Sequence, residues 1–535
     1  MLKRISLLFF LFVAVGLQAQ QLNFPLANPY FYQIEKKLYT PDNYFHTAVK
    51  PWLTPEVDKL INTDSLQNEY LINRDFGKKF PNFLWNKLFN EHLISINKDG
   101  FIANIDPVIN FELGKELKGN NNTKYINTRG FLMEGSIGKN FSFSTTFYEN
   151  QASFVDYLSG NIATTGVIPG QGRVRSFGKT SFDFSWASGY ISYTPSKYFN
   201  FQFGHGKNFI GDGYRSLLLS DNAYNYPYLK ITTNVWRLKY TNLYAEFQDL
   251  QTPNPNDLVF PKKYGSFHYL SYAVNKRLNI GIFEAVIWKA QDSSGYRGFE
   301  LNYLNPIIFF RPVEYSLGSP DNVLLGFNIS YKLADRYLIY GQLMLDEFKL
   351  SEIRAGNGWW GNKQAFQLGA KAFDLFNIKS LYVQTEFNYV RPYTYSHRTS
   401  LQNYGHYNQA LAHPVGANFW ESVSIVKYNY KRFFAEYKLN YILYGADSAG
   451  VNFGKDIFRS YEDYPKAYNN FVGQGVKTNV IYNDFRISYL INPRTNLNMC
   501  VGVTDRFEIT DLSKNHTAYF YVGIRSSLHN FYYDF

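Results

Sequence analysis

One cysteine, Cys500, is all that 535 residues contain, so no internal disulfide can staple the chain, and no Cys/His cluster has zinc spacing. Charge is scarce as well. Asp, Glu, Lys and Arg together make up 18%, against about 25% in ordinary soluble domains, which argues against a soluble enzyme of usual make-up. After residue 20 no stretch approaches the ~20 apolar residues a membrane helix needs, and a helical membrane protein is excluded. Disorder is excluded too, because 45% of the residues are hydrophobic. What is abundant is aromatic: 46 Tyr, 48 Phe and 8 Trp, or 19%. The net charge of +11 suits a polyanion, including acidic polysaccharide or lipopolysaccharide phosphates.

The first residues read as an export signal spanning 1–19. Lys3 and Arg4 precede an apolar run from Ile5 to Leu17, too short for a spanning helix, and Ala19 offers a small residue at the cut. Leu17 stands where a second small residue is usual. No cysteine follows, which argues against a lipoprotein anchor. Residues 20–98 differ from the rest: they are richer in Asn, Lys, Leu and Glu. In Thr54-Pro55-Glu56-Val57-Asp58-Lys59-Leu60-Ile61, Thr54 suits a cap, Pro55 the first helical position, and Glu56 and Asp58 the first turn. Phe83-Leu84-Trp85 and Leu88-Phe89 suggest a second helix. A small, partly helical periplasmic or plug region is expected there.

From 99 to 535 the period is two. Phe433, Ala435, Tyr437, Leu439, Tyr441 and Leu443 share one face while Glu436, Lys438 and Asn440 share the other. Leu381–Tyr389 and Leu243–Gln248 behave likewise. Tight turns are expected at Gly138-Lys139-Asn140, Pro195-Ser196-Lys197, Lys239-Tyr240-Thr241, Asn275-Lys276-Arg277, Ala334-Asp335-Arg336, Phe376-Asn377-Ile378, Tyr430-Lys431-Arg432 and Asn492-Pro493-Arg494. Long polar connections near 151–179, 205–227, 251–263, 290–321, 349–361, 391–417, 445–478 and 508–515 alternate with them. Short turns on one side and long loops on the other are the signature of an outer-membrane barrel. Hydrocarbon satisfies no free backbone N–H or C=O, so a spanning sheet must close on itself. With an opening strand near 101–113 and a closing strand near 517–527, the count is about eighteen. Phe531, Tyr533 and Phe535 alternate with polar neighbours at the C-terminus and suggest a terminal barrel strand.

Four segments are candidates for chemistry. In 204–222 the glycines lack the order of a nucleotide-binding loop, while His205, Lys207, Asp212, Tyr214 and Arg215 suit an acidic glycan; a loop folded inward on its own salt bridges fits the same residues. In 300–315, placed by strand parity on the outer side or in the lumen, Arg311 and Glu314 suit a structural pair. Asp346 and Glu347, adjacent on a strand beside Trp359 and Trp360, should point to opposite faces and make poor acid–base partners. His397, His406 and His413 have spacings that match no common metal site. No Gly-x-Ser-x-Gly elbow presents a nucleophile.

Gly211-Asp212-Gly213-Tyr214-Arg215-Ser216-Leu217-Leu218-Leu219-Ser220, the Asn305-Pro306 segment, Tyr340-Gly341 to Asp346-Glu347, and His413-Pro414 through Asn418 and Glu421 resemble the Wzi-like capsule-assembly family. The resemblance spans most of the chain after residue 100 and looks closest to the Bacteroidota branch that includes gliding-motility proteins of the RemB kind. It implies an 18-stranded outer-membrane barrel with an N-terminal helical part, a non-enzymatic lectin for exported polysaccharide or a component of surface motility. His205, Lys207, Asp212, Tyr214, Arg215, Arg311, Glu314, Trp359, Trp360, His413, Asn418 and Glu421 are then the candidate glycan contacts, with no metal or cofactor. Expected partners are outer-membrane lipid and lipopolysaccharide, surface polysaccharide, the barrel-assembly machinery and other gliding or export components, not nucleic acid. A porin-like channel and an outer-membrane hydrolase are the alternatives.

Overall fold

A computed structural model describes residues 21–27, 31–72, 82–118, 122–251, 259–292, 295–307, 309–448 and 450–535; the expected export signal at 1–19 lies outside them. Eighteen antiparallel strands close the barrel wall, and two short strands of the same sheet, Ile94–Lys98 and Arg175–Phe177, pair with the first and the fourth of them. The eighteen are β1 (Phe101–Lys118), β2 (Thr123–Ile137), β3 (Phe141–Ser153), β4 (Ser181–Tyr193), β5 (Phe199–Gly206), β6 (Tyr226–Val235), β7 (Leu238–Gln248), β8 (Lys262–Ala273), β9 (Leu278–Lys289), β10 (Asn322–Ala334), β11 (Tyr337–Glu347), β12 (Lys363–Phe373), β13 (Leu381–Val390), β14 (Phe419–Tyr430), β15 (Phe433–Ala446), β16 (Val476–Asn492), β17 (Leu497–Thr510) and β18 (Lys514–Ser526). β18 closes on β1, with Phe520 opposite Lys115 and Ile524 opposite Phe111.

Alternation decides which face meets lipid. Phe433, Tyr437 and Leu439 of β15, Met499, Val501 and Val503 of β17, and Phe520, Val522 and Ile524 of β18 are exposed on the outer wall. Their neighbours Asn440, Asn498, Cys500, Thr504 and Tyr521 are buried in the lumen. The apolar exterior places the protein in the outer membrane, where only a closed sheet leaves no unpaired edge in hydrocarbon.

Two expected connections differ. The turn placed at 239–241 lies at Trp236-Arg237, with Trp236 at a φ of 53°, and 239–241 belong to β7. β17 and β18 are joined by residues 511–513 alone, so 508–515 is mostly strand.

The N-terminal residues enter the turn end of the barrel. They form α1 (Phe31–Leu38), α2 (Thr54–Asp58), α3 (Thr63–Asn68) and α4 (Asn82–Phe89). Thr54 is the first helical residue of α2, not its cap: Leu53 holds the capping position and offers no side-chain oxygen. Ile34, Leu38, Trp52 and Val57 are buried together with Leu490 near the foot of β16. Ion pairs fix the region to the strand ends and turns, among them Lys36–Asp374 at 2.5 Å, Glu56–Lys239 at 2.6 Å and Asp64–Arg494 at 2.8 Å. Inside the barrel, Val49–Lys50 pairs antiparallel with Phe209–Ile210.

The C-terminal expectation is overturned. After β18, residues 527–535 are not a strand but turn back into the lumen, where Asp534 and Tyr532 are buried. Phe531 packs edge-on to Trp186 and Tyr533 edge-on to Phe154. The aromatic alternation is real, but it faces the inner wall, not lipid.

Candidate functional site

Arg215 sits at the centre of a network built from five parts of the chain. Its Nη2 donates to Glu421 Oε1 at 2.9 Å and to Asp534 Oδ1 at 3.0 Å. The Tyr214 and Arg215 amides donate to Glu386 at 2.8 and 3.1 Å. Lys438 Nζ and the Tyr214 hydroxyl both meet Asp534 Oδ2 at 2.8 Å. His413 Nε2 donates to Glu421 Oε2 at 2.6 Å while its Nδ1 accepts from the Val415 amide at 3.2 Å, the arrangement of a neutral imidazole. Burial pushes His413 below its ordinary pKa against the pull of Glu421. Asp534, which burial alone would raise, is held below the usual carboxylate range by Arg215 and Lys438. Arg215, Glu421 and Asp534 are buried on every side, so they pair with one another and not with a surface ligand.

The remaining lumen candidates are similarly engaged. Asp212 accepts from Tyr39 at 2.8 Å, Thr47 at 2.5 Å and Asn328 at 3.2 Å, tying the N-terminal segment to the loop. Lys207 donates to the carbonyls of Gly170 and Asp221, and burial lowers its pKa to about 8. Asn418, at a φ of 58°, donates to the carbonyls of Gly445 and Gln474 and accepts from the Gly473 amide. His205 lies at the end of β5, edge-on to Tyr224. Of the loop histidines, His397 packs on Tyr461, His406 takes the Gln248 amide and His413 takes Glu421, so the three do not meet.

Asp346 and Glu347 depart from simple alternation. A register shift between Leu345 and Glu347 lets both carboxylates reach Lys363 Nζ, at 3.2 and 3.3 Å. A bulge re-aims a side chain that strict period two would send to the opposite face. Arg311 and Glu314 pair at 3.0 Å on a helix that lies against the outer wall of the barrel, not above it or in the lumen.

Trp359 and Trp360 have a different setting. They stand on the long-loop side, between β11 and β12, where the connection from β15 to β16 folds against them. The Trp360 amide donates to Ala467 O, and the Asn469 and Asn470 amides to Asn357 O and Gly358 O, all at 2.9 Å. Trp360 stacks on Tyr464 with centroids 4.7 Å apart and lies 5.2 Å from Tyr461. Tyr468 and Phe471 remain 47% and 60% exposed beside them. Cations border the rings: Lys466 lies over Phe471, Lys349 over Trp359, and Arg398 reaches Glu462 at 3.2 Å. The result is an aromatic shelf pinned by backbone hydrogen bonds, in which Tyr461 is buried, Trp359, Trp360 and Tyr464 are half-buried, and Tyr468 and Phe471 are exposed. Tyr461, Tyr464, Tyr468 and Phe471 recur at intervals of three and four in one loop, a signal that points to this cluster beyond the Trp pair itself.

Closed, apolar outside and polar within, this chain is an outer-membrane β-barrel. Among solved structures it is similar to Wzi, an outer-membrane protein involved in group 1 capsule assembly in Escherichia coli and a carbohydrate-binding β-barrel; identity is 12%, coverage 95% of this chain and 100% of that one, and the TM-score 0.54. OprD of Pseudomonas aeruginosa aligns at 9% identity over 79% of this chain and 94% of its own, with a TM-score of 0.42. The likeness to Wzi is one of fold. No family model and no curated protein matches the chain.

Proposed function

We propose that this barrel binds or organises cell-surface polysaccharide, with the aromatic shelf as its contact surface and the lumen network as its scaffold. The observation that carries the reading is the shelf: flat aromatic faces suit the C–H faces of sugar rings, and the bordering Lys and Arg suit acidic groups. Its backbone ties hold the rings in place before a ligand arrives, which lowers the ordering cost of binding. The fold likeness to a carbohydrate-binding barrel supports it, and the sequence resemblance extends it to capsule attachment or gliding of the RemB kind in Bacteroidota.

The test is a strain lacking the coding region, complemented with the native chain or with Trp360→Ala. The variant should reach the outer membrane in normal amount yet retain less surface polysaccharide. Full retention would refute the shelf. Lost spreading on agar with polysaccharide retained would assign the protein to gliding.

A porin-like channel is the second reading. It is favoured by a cavity of about 480 Å3 beside the C-terminal tail, lined in part by Glu112, Glu436 and Asp484 with Lys427, Arg486 and Arg525. A hydrolase would instead show turnover abolished by one serine or carboxylate substitution.

A further inference from the structure

β9 has 12 residues, and a spanning strand needs about nine to eleven, so crossing the bilayer consumes nearly all of it. Glu284, its seventh residue, is therefore at mid-depth. Its side chain shares a face with Ile282, 52% exposed on the outer wall, while Phe283, Ala285 and Ile287 face the lumen core. A carboxylate at mid-depth on the lipid face is costly unless something satisfies it. Here the partners come from a long connection: the amides of Phe310 and Arg311 donate to Glu284 Oε1 at 2.8 and 3.3 Å.

These amides begin α5 (Phe310–Leu317), part of the connection between β9 and β10, which by strand parity starts at the outer rim. For α5 to cap Glu284, the connection must descend along the outside of the barrel. Other bonds trace the descent. Trp288 Nε1 donates to Gly298 O at 3.1 Å, the Tyr244 hydroxyl to Leu304 O at 2.8 Å, and the Tyr240 hydroxyl to Pro306 O. Tyr240 and Tyr244 lie on the outer face of β7, with Tyr240 only its third residue from the turn end. Arg297 is turned inward onto Asp321 at 2.9 Å, and Tyr303 donates to Asp321 at 2.8 Å. Tyr303, Phe310 and Trp288 are buried against one another. Satisfying irregular backbone from the wall itself is what a segment in hydrocarbon requires.

What this segment turns outward is largely apolar, with Asn302, Asn305, Arg311 and Ser316 the exposed polar residues among it. Ile307 and Tyr315 are each 86% exposed, Leu301 75% and Phe309 65%, and the pair Arg311–Glu314 is neutralised at 3.0 Å.

We infer that residues 295–307 and 309–321 form a flap embedded in the outer-membrane bilayer, and that the face carrying Leu301, Ile307, Phe309 and Tyr315 is covered by lipid acyl chains. This does not depend on the glycan reading. The flap widens the lipid-contacting surface of β7–β10 and shields Glu284 and His268, whose ring packs on Phe310 at 4.1 Å.

The experiment is nitroxide labelling of Ile307→Cys, Tyr315→Cys and Leu301→Cys in the full chain reconstituted in phosphatidylcholine vesicles, with buried Cys500 replaced by alanine. Collision with oxygen, which concentrates in lipid, is compared with collision with a water-soluble nickel chelate. Leu368→Cys on the bare outer wall of β12 and Tyr468→Cys on the shelf are the lipid and water references. Oxygen access should exceed nickel access several-fold at all three flap positions, as at Leu368. Nickel access equal to that at Tyr468 would put the flap in water and overturn the inference. Exclusion of both reagents would overturn it as well, by assigning the face to protein contact. If Leu368 itself reports water, the barrel reading has failed instead. Any variant that does not refold to the compact, heat-modifiable form is set aside, and the remaining positions decide.

Discussion

The lumen and the outer rim use the same residue types to opposite ends. Around Arg215 the cation, the acids and the tyrosines are buried and paired with one another; around half-buried Trp360 the rings pack together and leave Tyr468 and Phe471 exposed. The difference teaches that residue type announces neither role. A buried charge is stabilised only by its partners, and removing one leaves the others desolvated and unpaired. An exposed aromatic contributes little to the fold and is available to a ligand.

The sharpest way to break this contrast is Arg215→Met, which leaves buried Glu421 without a cation, held by neutral His413, and Asp534 with Lys438 as its remaining cation. It should cost about 3–5 kcal/mol, seen as a lower temperature for conversion of the compact form on unboiled gels, while polysaccharide retained per folded molecule is unchanged. Asp534→Asn keeps the shape and removes one charge, and should cost about 1–3 kcal/mol by the same readout.

Acid acts on two members of this network, His413 and Asp534, with a defined sign. Because folding lowers the pKa of His413 from its ordinary 6.5, only the unfolded chain takes up that proton as pH first falls below 6.5, and the folded state loses ground. The contribution of Asp534 is complete above its ordinary 3.8 and is lost as pH falls through its lower folded value. Both terms weaken the network on acidification, so the conversion temperature should decline from pH 7 to pH 3. A rise over that range would contradict the assigned charge states. At the small end, Phe471→Ala should leave stability within about 0.5 kcal/mol yet reduce polysaccharide retention, the reverse of the pattern for Arg215.

Much of the barrel was legible in the sequence because period two and turn spacing are properties of the chain itself. The alternation of 433–444 became β15, and the expected closing strand at 517–527 is β18 within a few residues. What failed did so for physical reasons. Period two shows that Phe531, Tyr533 and Phe535 share a face, not whether that face meets lipid or Trp186. The turn at Trp236-Arg237 was hidden because Trp236 is an apolar residue exposed at the rim, and the alternation of β7 ran through the place where a turn was expected. The bulge that brings Asp346 and Glu347 to one lysine depends on pairing with β12. The site residues were visible as types, but burial separates Arg215 from Trp360, and burial comes from loops folding across long stretches of sequence.

The central claim is that the chain's own N-terminal segment, loops and C-terminal tail obstruct the lumen around the remaining cavity, leaving polysaccharide binding to the outside. Conductance of the purified protein in planar lipid bilayers tests it most directly. The account predicts silence at moderate voltage, whereas large, steady currents would show an open pathway and contradict it.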